Sequence, residues 1–374
     1  MAHRSFADEV LPDPRHTYSG LTTALQDSLK VLEQGLQKGR GFSGPTVYVG
    51  LAGVALTYFR LYECCNRVNP AYLPGQVSWA GKEQAQGYLK RAAALINAAG
   101  TSPKLQKLGP AILQMPEREC ELLYGRSGYL YALLYTQAYL GPSAILPDLV
   151  TAFVQQIVDE GRRGAIRVKN APLMWQWHSE CYLGGAHGVS GILHTLLLAC
   201  NIYNPAELYP DLDLLNLIEK TTEALAANLQ GNSGNLSTAW GLDNDRLVQW
   251  CHGAPGFLPL AVKMYVRHPV ELLATASQRA ADVIWARGLL VKGLGLCHGI
   301  SGNAYTLLSA YRCTGDERQF KRAVQYGLFM ADHWQELLNV PDRPLSLYEG
   351  LGGAICFWAD VMDPPRSSFP GYEL

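Results

Sequence analysis

Leu296-Cys297-His298-Gly299-Ile300-Ser301-Gly302 leads into the apolar run Asn303 to Cys313, and Trp250-Cys251-His252-Gly253-Ala254-Pro255-Gly256 leads into Phe257 to Val266. Each stretch places a thiol and an imidazole just ahead of a G-x-x-G element that opens a helix-like segment. A third copy, Ala186-His187-Gly188-Val189-Ser190-Gly191, keeps the frame with alanine in place of cysteine and precedes Ile192 to Ile202. The same glycine pair recurs at Gly50 and Gly53, at Gly125 and Gly128, and at Gly350 and Gly353, ahead of Val54 to Cys65, Tyr129 to Tyr139 and Ala354 to Val361. These six runs are apolar nearly all round, the pattern of helices buried on every side. A glycine pair at each start lets backbone or ligand approach where a Cβ would obstruct.

Between the apolar runs lie more charged, amphipathic segments: Leu21 to Gln37, Glu83 to Asn97, Leu146 to Glu160, Leu212 to Leu229, Val270 to Arg287 and Arg318 to Leu338. Asp211 and Asp316 are placed to cap or open two of them. A buried helix alternating with an amphipathic one is how an inner ring wrapped by an outer ring reads in sequence. Strand-like alternation is scarce. The expected fold is all-α, an α/α toroid formed by one domain over residues 1–374, with the G-x-x-G ends at one mouth. The longest interval between starts runs from Gly50 to Gly125. It reads as one amphipathic helix followed by the Pro- and Gly-punctuated stretch Gly100 to Pro116, so one inner helix is expected to be missing there. Ile202 to Pro210 and Gly231 to Asp245 read as connectors.

Composition bounds the function. The 374 residues are 48% hydrophobic and 17% charged, which is globular rather than disordered, and the formal charge of −1 gives no basis for nucleic-acid binding. No apolar stretch reaches the length of a membrane span, and the first residues show no apolar core of a secretory signal. The expectation is a cytoplasmic protein, with peripheral membrane or nuclear association left open. Nine irregularly spaced cysteines argue against a disulfide framework.

Cysteines and a histidine drawn from separate Cys-His-Gly segments suit a zinc ion with one coordination position open. The plainer account is buried cysteines packing as small hydrophobes. His187, in the frame that lacks cysteine, is a candidate proton donor because imidazole titrates near neutral pH; a hydrogen-bonding core histidine is the alternative. His178 and His194 lack the frame and read as structural. Glu121 and Glu349 precede glycine motifs, where a carboxylate can orient a histidine or only complement a helix dipole. Asp243, Asp245 and Arg246 read as braces for the Trp-Cys-His loop. Trp175, Trp177, Trp240 and Trp250 read as wall packing, with a peptide groove as the rival use.

The ordered set of motifs resembles the lanthionine synthetase C-like family. It comprises Met1-Ala2-His3-Arg4, Tyr48-Val49-Gly50-Leu51-Ala52-Gly53, Leu123-Tyr124-Gly125-Arg126-Ser127-Gly128-Tyr129, Gly185-Ala186-His187-Gly188, the two Cys-His-Gly stretches, Ser346-Leu347-Tyr348-Glu349-Gly350 and the tail Phe369 to Leu374. The resemblance implies a double ring of seven inner and seven outer helices with a zinc ion at the mouth. It assigns Cys251, Cys297 and His298 as the zinc ligands and sets His252 aside. It implies glutathione as co-substrate, added to dehydroalanine or dehydrobutyrine residues of proteins, with Arg4 and Lys292 near glutathione and Arg343 a weaker candidate for the same task. Rival readings are a non-catalytic glutathione- or zinc-binding adaptor, a shortened inactive form, and a prenyltransferase-like zinc toroid. The last would need a carboxylate zinc ligand.

Overall fold

The computed structural model describes residues 18–67, 82–98, 105–116, 119–229 and 232–374. Among them are fourteen α-helices, and strand pairing is limited to isolated bridges. In chain order the helices are α1 (Tyr18–Lys38), α2 (Leu51–Arg67), α3 (Lys82–Ala98), α4 (Leu105–Leu113), α5 (Arg126–Leu140), α6 (Pro147–Ala165) and α7 (Val189–Ile202). They continue with α8 (Pro205–Leu208), α9 (Leu214–Ala227), α10 (Ala254–Arg267), α11 (Glu271–Arg287), α12 (Ile300–Thr314), α13 (Glu317–Leu337) and α14 (Leu351–Val361). The six glycine-led runs and the six amphipathic segments each form a helix, within a few residues of the expected bounds.

Burial follows the reading of the two classes. Every residue of α14 is buried, as is α12 from Ile300 to Ala310. In contrast, α1 buries only Tyr18, Leu21, Ala24, Leu25, Ser28, Leu32 and Gly35, spaced by threes and fours along one stripe.

The chain divides into two compact units, one built from residues up to Thr101 with Trp285–Gly371, the other from Ser102–Ile284 with Tyr372–Leu374. In the first, α14 packs on α2 and α12, while α1 and α13 cover it and α3 backs α2. In the second, α7 packs on α5 and α10, α6 backs α5, and α9 backs both α7 and α10. Apolar helices flanked by amphipathic ones is therefore the arrangement within each unit.

The glycine motifs have a common physical cause. The first N–H of each of five helices donates to the carbonyl seven residues back: Leu51 to Gly44 at 3.0 Å, Arg126 to Glu119 at 2.9 Å, Val189 to Tyr182 at 2.9 Å, Ile300 to Gly293 at 3.1 Å and Leu351 to Pro344 at 2.7 Å. The preceding turn thus folds under the helix start and satisfies donors that otherwise need a capping side chain; α5, α7, α12 and α14 have none. The second glycine of the motif lies on that turn. A Cβ on Gly302 would strike the Leu296 carbonyl oxygen, and one on Gly128 the Leu122 carbonyl oxygen.

Three expectations need correction. Gly100 to Pro116 is not all connector, because α4 lies within it. The Arg126 guanidinium, fully buried, donates to the carbonyls of Leu113 (3.3 Å), Met115, Pro116 (3.0 Å) and Glu119 (3.3 Å), collecting the acceptors that the end of α4 leaves open. Ile202 to Pro210 contains the single turn α8, capped by Asn204. Asp316 does cap α13, accepting from Arg318 N at 2.9 Å, but α9 is capped by Asp213 rather than Asp211.

Candidate functional site

In the second unit, Gln249 and His252 exchange backbone hydrogen bonds (3.2 and 3.1 Å), so Trp250 and Cys251 form the tip of a two-residue turn. Trp250 is fully buried, edge-on to Tyr372 with centroids 5.3 Å apart. Its carbonyl accepts from Gly185 N at 2.9 Å, and a Cβ on Gly184 would collide with the Cys251 carbonyl. The turn before α7 is thereby seated against the turn that carries Cys251. Gln249 Nε2 donates to Cys251 Sγ at 3.1 Å. Asn235 ties the same loop to its helix: its amide donates to Asp245 Oδ1 (2.9 Å) and the Leu247 carbonyl (3.0 Å), and its oxygen accepts from Ala254 N (2.9 Å) at the start of α10. Asp245 therefore braces the loop as the sequence suggests.

In the first unit, Cys297 is buried and His298 half-buried. Cys297 N donates to the Tyr348 carbonyl at 2.9 Å, and Gly295 lies so close to that carbonyl and to Glu349 that no side chain fits. The turn before α12 thus rests on the turn before α14. Burial, followed by the neighbouring Cys297, pushes the Tyr348 phenol far above its ordinary range. Lys292 is exposed on the first of these turns. Arg343, on the second, is half-buried, and its guanidinium donates to the Asp342 carbonyl at 3.0 Å. Arg4 lies outside the described residues.

Two groups of three side chains among the described residues have the donors for a metal ion: Cys251, Cys297 and His298, and Glu219, Glu223 and His268. Two buried thiols with one imidazole are a borderline-soft set that suits zinc and leaves one of four positions open. The second group is less apt. Lys220 already holds both carboxylates, at 3.2 Å from Glu219 and 2.8 Å from Glu223.

His187, again in the second unit, is held from several sides. Its Nδ1 lies 2.6 Å from Glu121 Oε2. Glu121 is almost wholly buried and also accepts from the backbone N–H groups of Leu123 (2.9 Å) and Tyr124. An ionised carboxylate can only accept, so this pairing sets a proton on Nδ1 and leaves Nε2 outside the pair. Trp177 stacks on the imidazole at 4.0 Å and 6°, and His252 approaches to 6.2 Å between centroids. Tyr124, 69% exposed, runs parallel to both Trp177 and His187. The carboxylate and the indole together fix the tautomer and the ring plane of His187.

The remaining aromatic and histidine candidates separate. Trp175 is buried and donates to the Ile157 carbonyl at 2.8 Å, so it packs the wall. His194 is fully buried and stacked on Tyr372 at 4.2 Å, a structural histidine as expected. Sequence reasoning passed over Gln249 and Asn235. Only their distance from the Cys-His-Gly frame, two and about sixteen residues before Cys251, would have flagged them.

The sequence matches the family described as Lanthionine synthetase C-like protein over residues 82–374. It is 31% identical to a zebrafish (Danio rerio) protein named Glutathione S-transferase LANCL1, across 96% of this chain and 92% of that one. It is 32% identical to the Arabidopsis thaliana LanC-like protein GCL1, across 88% of this chain and 81% of that one. Among solved structures, nisin cyclase superposes with a TM-score of 0.53 at 15% identity, covering 88% of this chain and 79% of that one. That likeness establishes the fold as the all-α, α/α toroid.

Proposed function

The chain belongs to the lanthionine synthetase C-like family, and on that premise we propose that it is a glutathione transferase that forms thioethers by conjugate addition. The carrying observation is its 31% identity, over nearly its whole length, to a protein named Glutathione S-transferase. The finer parts of the reading are a zinc ion, dehydroalanine or dehydrobutyrine residues of proteins as acceptors, and one α/α toroid domain over residues 1–374. The donor set supports the zinc ion, and the His187 geometry supports proton delivery to an acceptor of that kind.

Cys251, Cys297 and His298 would hold the zinc. Bound there, zinc would lower the pKa of the glutathione thiol and so make a nucleophile available at neutral pH. The rest of the chemistry falls to side chains of the chain. Attack of the glutathione sulfur on the acceptor's β-carbon makes the C–S bond and moves the π pair toward the α-carbon and its carbonyl. Nε2 of His187 takes up the proton that the glutathione thiol gives up, and the doubly protonated ring, its Nδ1–H held by Glu121, then passes the Nε2 proton to the α-carbon. Lys292, Arg343 and Arg4 are the cations assigned to the glutathione carboxylates. No described helix is long and apolar enough to cross a membrane; cytoplasmic residence remains part of the proposal.

The test begins with the zinc content of purified, folded protein, wild type against Cys297→Ala. About one equivalent in wild type, lost in the variant, leads on to an assay of glutathione addition to a dehydroalanine peptide. Folded wild type without zinc would sink the zinc-dependent reading. Zinc and glutathione binding without thioether product would instead favour the adaptor.

A further inference from the structure

Trp177 and Glu180 exchange backbone hydrogen bonds at 2.9 and 3.0 Å around a two-residue turn whose central residues are His178 (φ 44°) and Ser179 (φ 74°). Both lie in the left-handed region, the combination of a type I′ turn. Such turns are ordinarily filled by Asn-Gly because side chains with a Cβ are strained there. Neither central residue here is Asn or Gly. Strained backbone persists where its surroundings fix it, and it concentrates at functional sites.

The turn presents an indole. Trp177 lies flat on His187, 4.0 Å between centroids and 6° between planes, and the ring of the strained His178 packs edge-on to the indole at 4.1 Å. Glu121 occupies Nδ1 of the same imidazole. One face and one nitrogen of His187 are therefore taken, with the rings of Tyr124, Tyr182 and His252 6.2 to 6.5 Å away between centroids.

We propose that Trp177 is a positioning residue for proton transfer by His187, and that the strained His178–Ser179 turn exists to press its indole onto the imidazole. The inference rests on the reading of His187 as the proton donor. A ring free to rotate about its side-chain bonds would meet the α-carbon in a range of geometries. A ring clamped between a carboxylate and an indole meets it in one. The effect belongs to the rate of the chemical step and not to glutathione binding.

The experiment compares Trp177→Leu, Trp177→Phe and His187→Gln in the full chain, with glutathione and a dehydroalanine peptide as substrates and zinc content measured on each. Misplacing a reacting group by about an ångström costs on the order of 10²-fold. Trp177→Leu is therefore expected to lower kcat by about 10- to 100-fold, with KM for glutathione within about twofold of wild type and zinc retained. Trp177→Phe, which restores a flat ring, is expected to recover most of the loss. As a second route, His178→Gly with Ser179→Gly relieves the two left-handed φ angles and removes the His178 ring from the edge of the indole, and should lower kcat in the same direction. If Trp177→Leu keeps the wild-type kcat while His187→Gln is inactive, the indole is only packing: the positioning role is overturned and the parent reading stands. If His187→Gln retains full activity, both fall.

Discussion

The side-chain amide of Gln249 donates to Cys251 Sγ at 3.1 Å, from the opposite end of the two-residue turn that Gln249 closes with His252. One residue thus fixes both the backbone that carries the thiol and the direction of a sulfur lone pair. Groups in this position around metal ligands commonly set affinity by one to two orders of magnitude. Gln249→Leu keeps the backbone bonds and removes only the amide. If Cys251 is a zinc ligand, the variant should hold zinc about 10- to 100-fold more weakly. Competition with a chromophoric chelator checks this, and circular dichroism should show the fold unchanged.

Glu121 separates two roles that one substitution can pull apart. Its carboxylate accepts from two backbone N–H groups and from His187 Nδ1. In Glu121→Gln, an amide oxygen still serves the turn, but the amide nitrogen can only donate toward the imidazole, so the doubly protonated ring loses its acceptor. The expected result is a kcat lowered by at least about tenfold, within the range attributed to general acid catalysis, with KM little changed. Glu121→Ala additionally strands the turn donors and should cost about 1–3 kcal/mol of stability for each buried group left unpaired. Urea unfolding of the two variants side by side distinguishes the effects.

Helix identity was legible because the six apolar runs are bounded by glycines whose cause is steric, and the amphipathic stripe of α1 follows a 3.6-residue period. What escaped was whatever depends on distant partners. α4 contains Gly109 and Pro110, both breakers by local rules. Gly109 lets the helix lie close to Leu149 of α6 and the Tyr129 hydroxyl of α5, and Arg126 and Gln156 take up the Leu113 carbonyl. Tertiary partners override propensity there. The candidate site divides the same way. Cys251, Cys297, His298 and His187 stand out by repeat position, whereas the contacts of Glu121 with His187 and of Asn235 with Ala254 join segments brought together only by folding.

The steric cause of the glycine motif gives a paired test. Gly302→Ala would drive a Cβ into the Leu296 carbonyl, a backbone atom that cannot swing aside, next to Cys297. A loss of roughly 1–3 kcal/mol or more is expected from such overpacking, together with weakened zinc retention. Gly20→Ala is the control. It lies near the start of α1 with open space around its Cβ position, and replacing an exposed helical glycine by alanine should stabilise by about 0.5–1 kcal/mol. Thermal unfolding of both variants reads the contrast. A Gly302→Ala protein as stable as wild type would mean that the turn beneath α12 can shift, against the steric account given for Gly302 and Gly128.

The first unit carries a buried ionic knot whose disruption should be more costly. Arg60 of α2 pairs with both oxygens of Asp360 of α14 (2.6 to 3.0 Å), with Glu63 (3.0 Å) and with the Arg366 carbonyl (2.6 Å). Asp360 also accepts from the Tyr305 hydroxyl of α12 at 2.7 Å. Arg60, Glu63, Tyr305 and Asp360 are all buried, so removing one partner leaves charge in a medium that cannot solvate it. Asp360→Ala should destabilise by about 3–5 kcal/mol, whereas Arg60→Met combined with Asp360→Leu should cost less than the sum of the single changes, because the pair leaves together. Urea unfolding of the two single variants and the double variant closes the cycle. Additive losses would show that the pairing contributes nothing beyond packing, and α2, α12 and α14 would then be held together by their apolar faces alone.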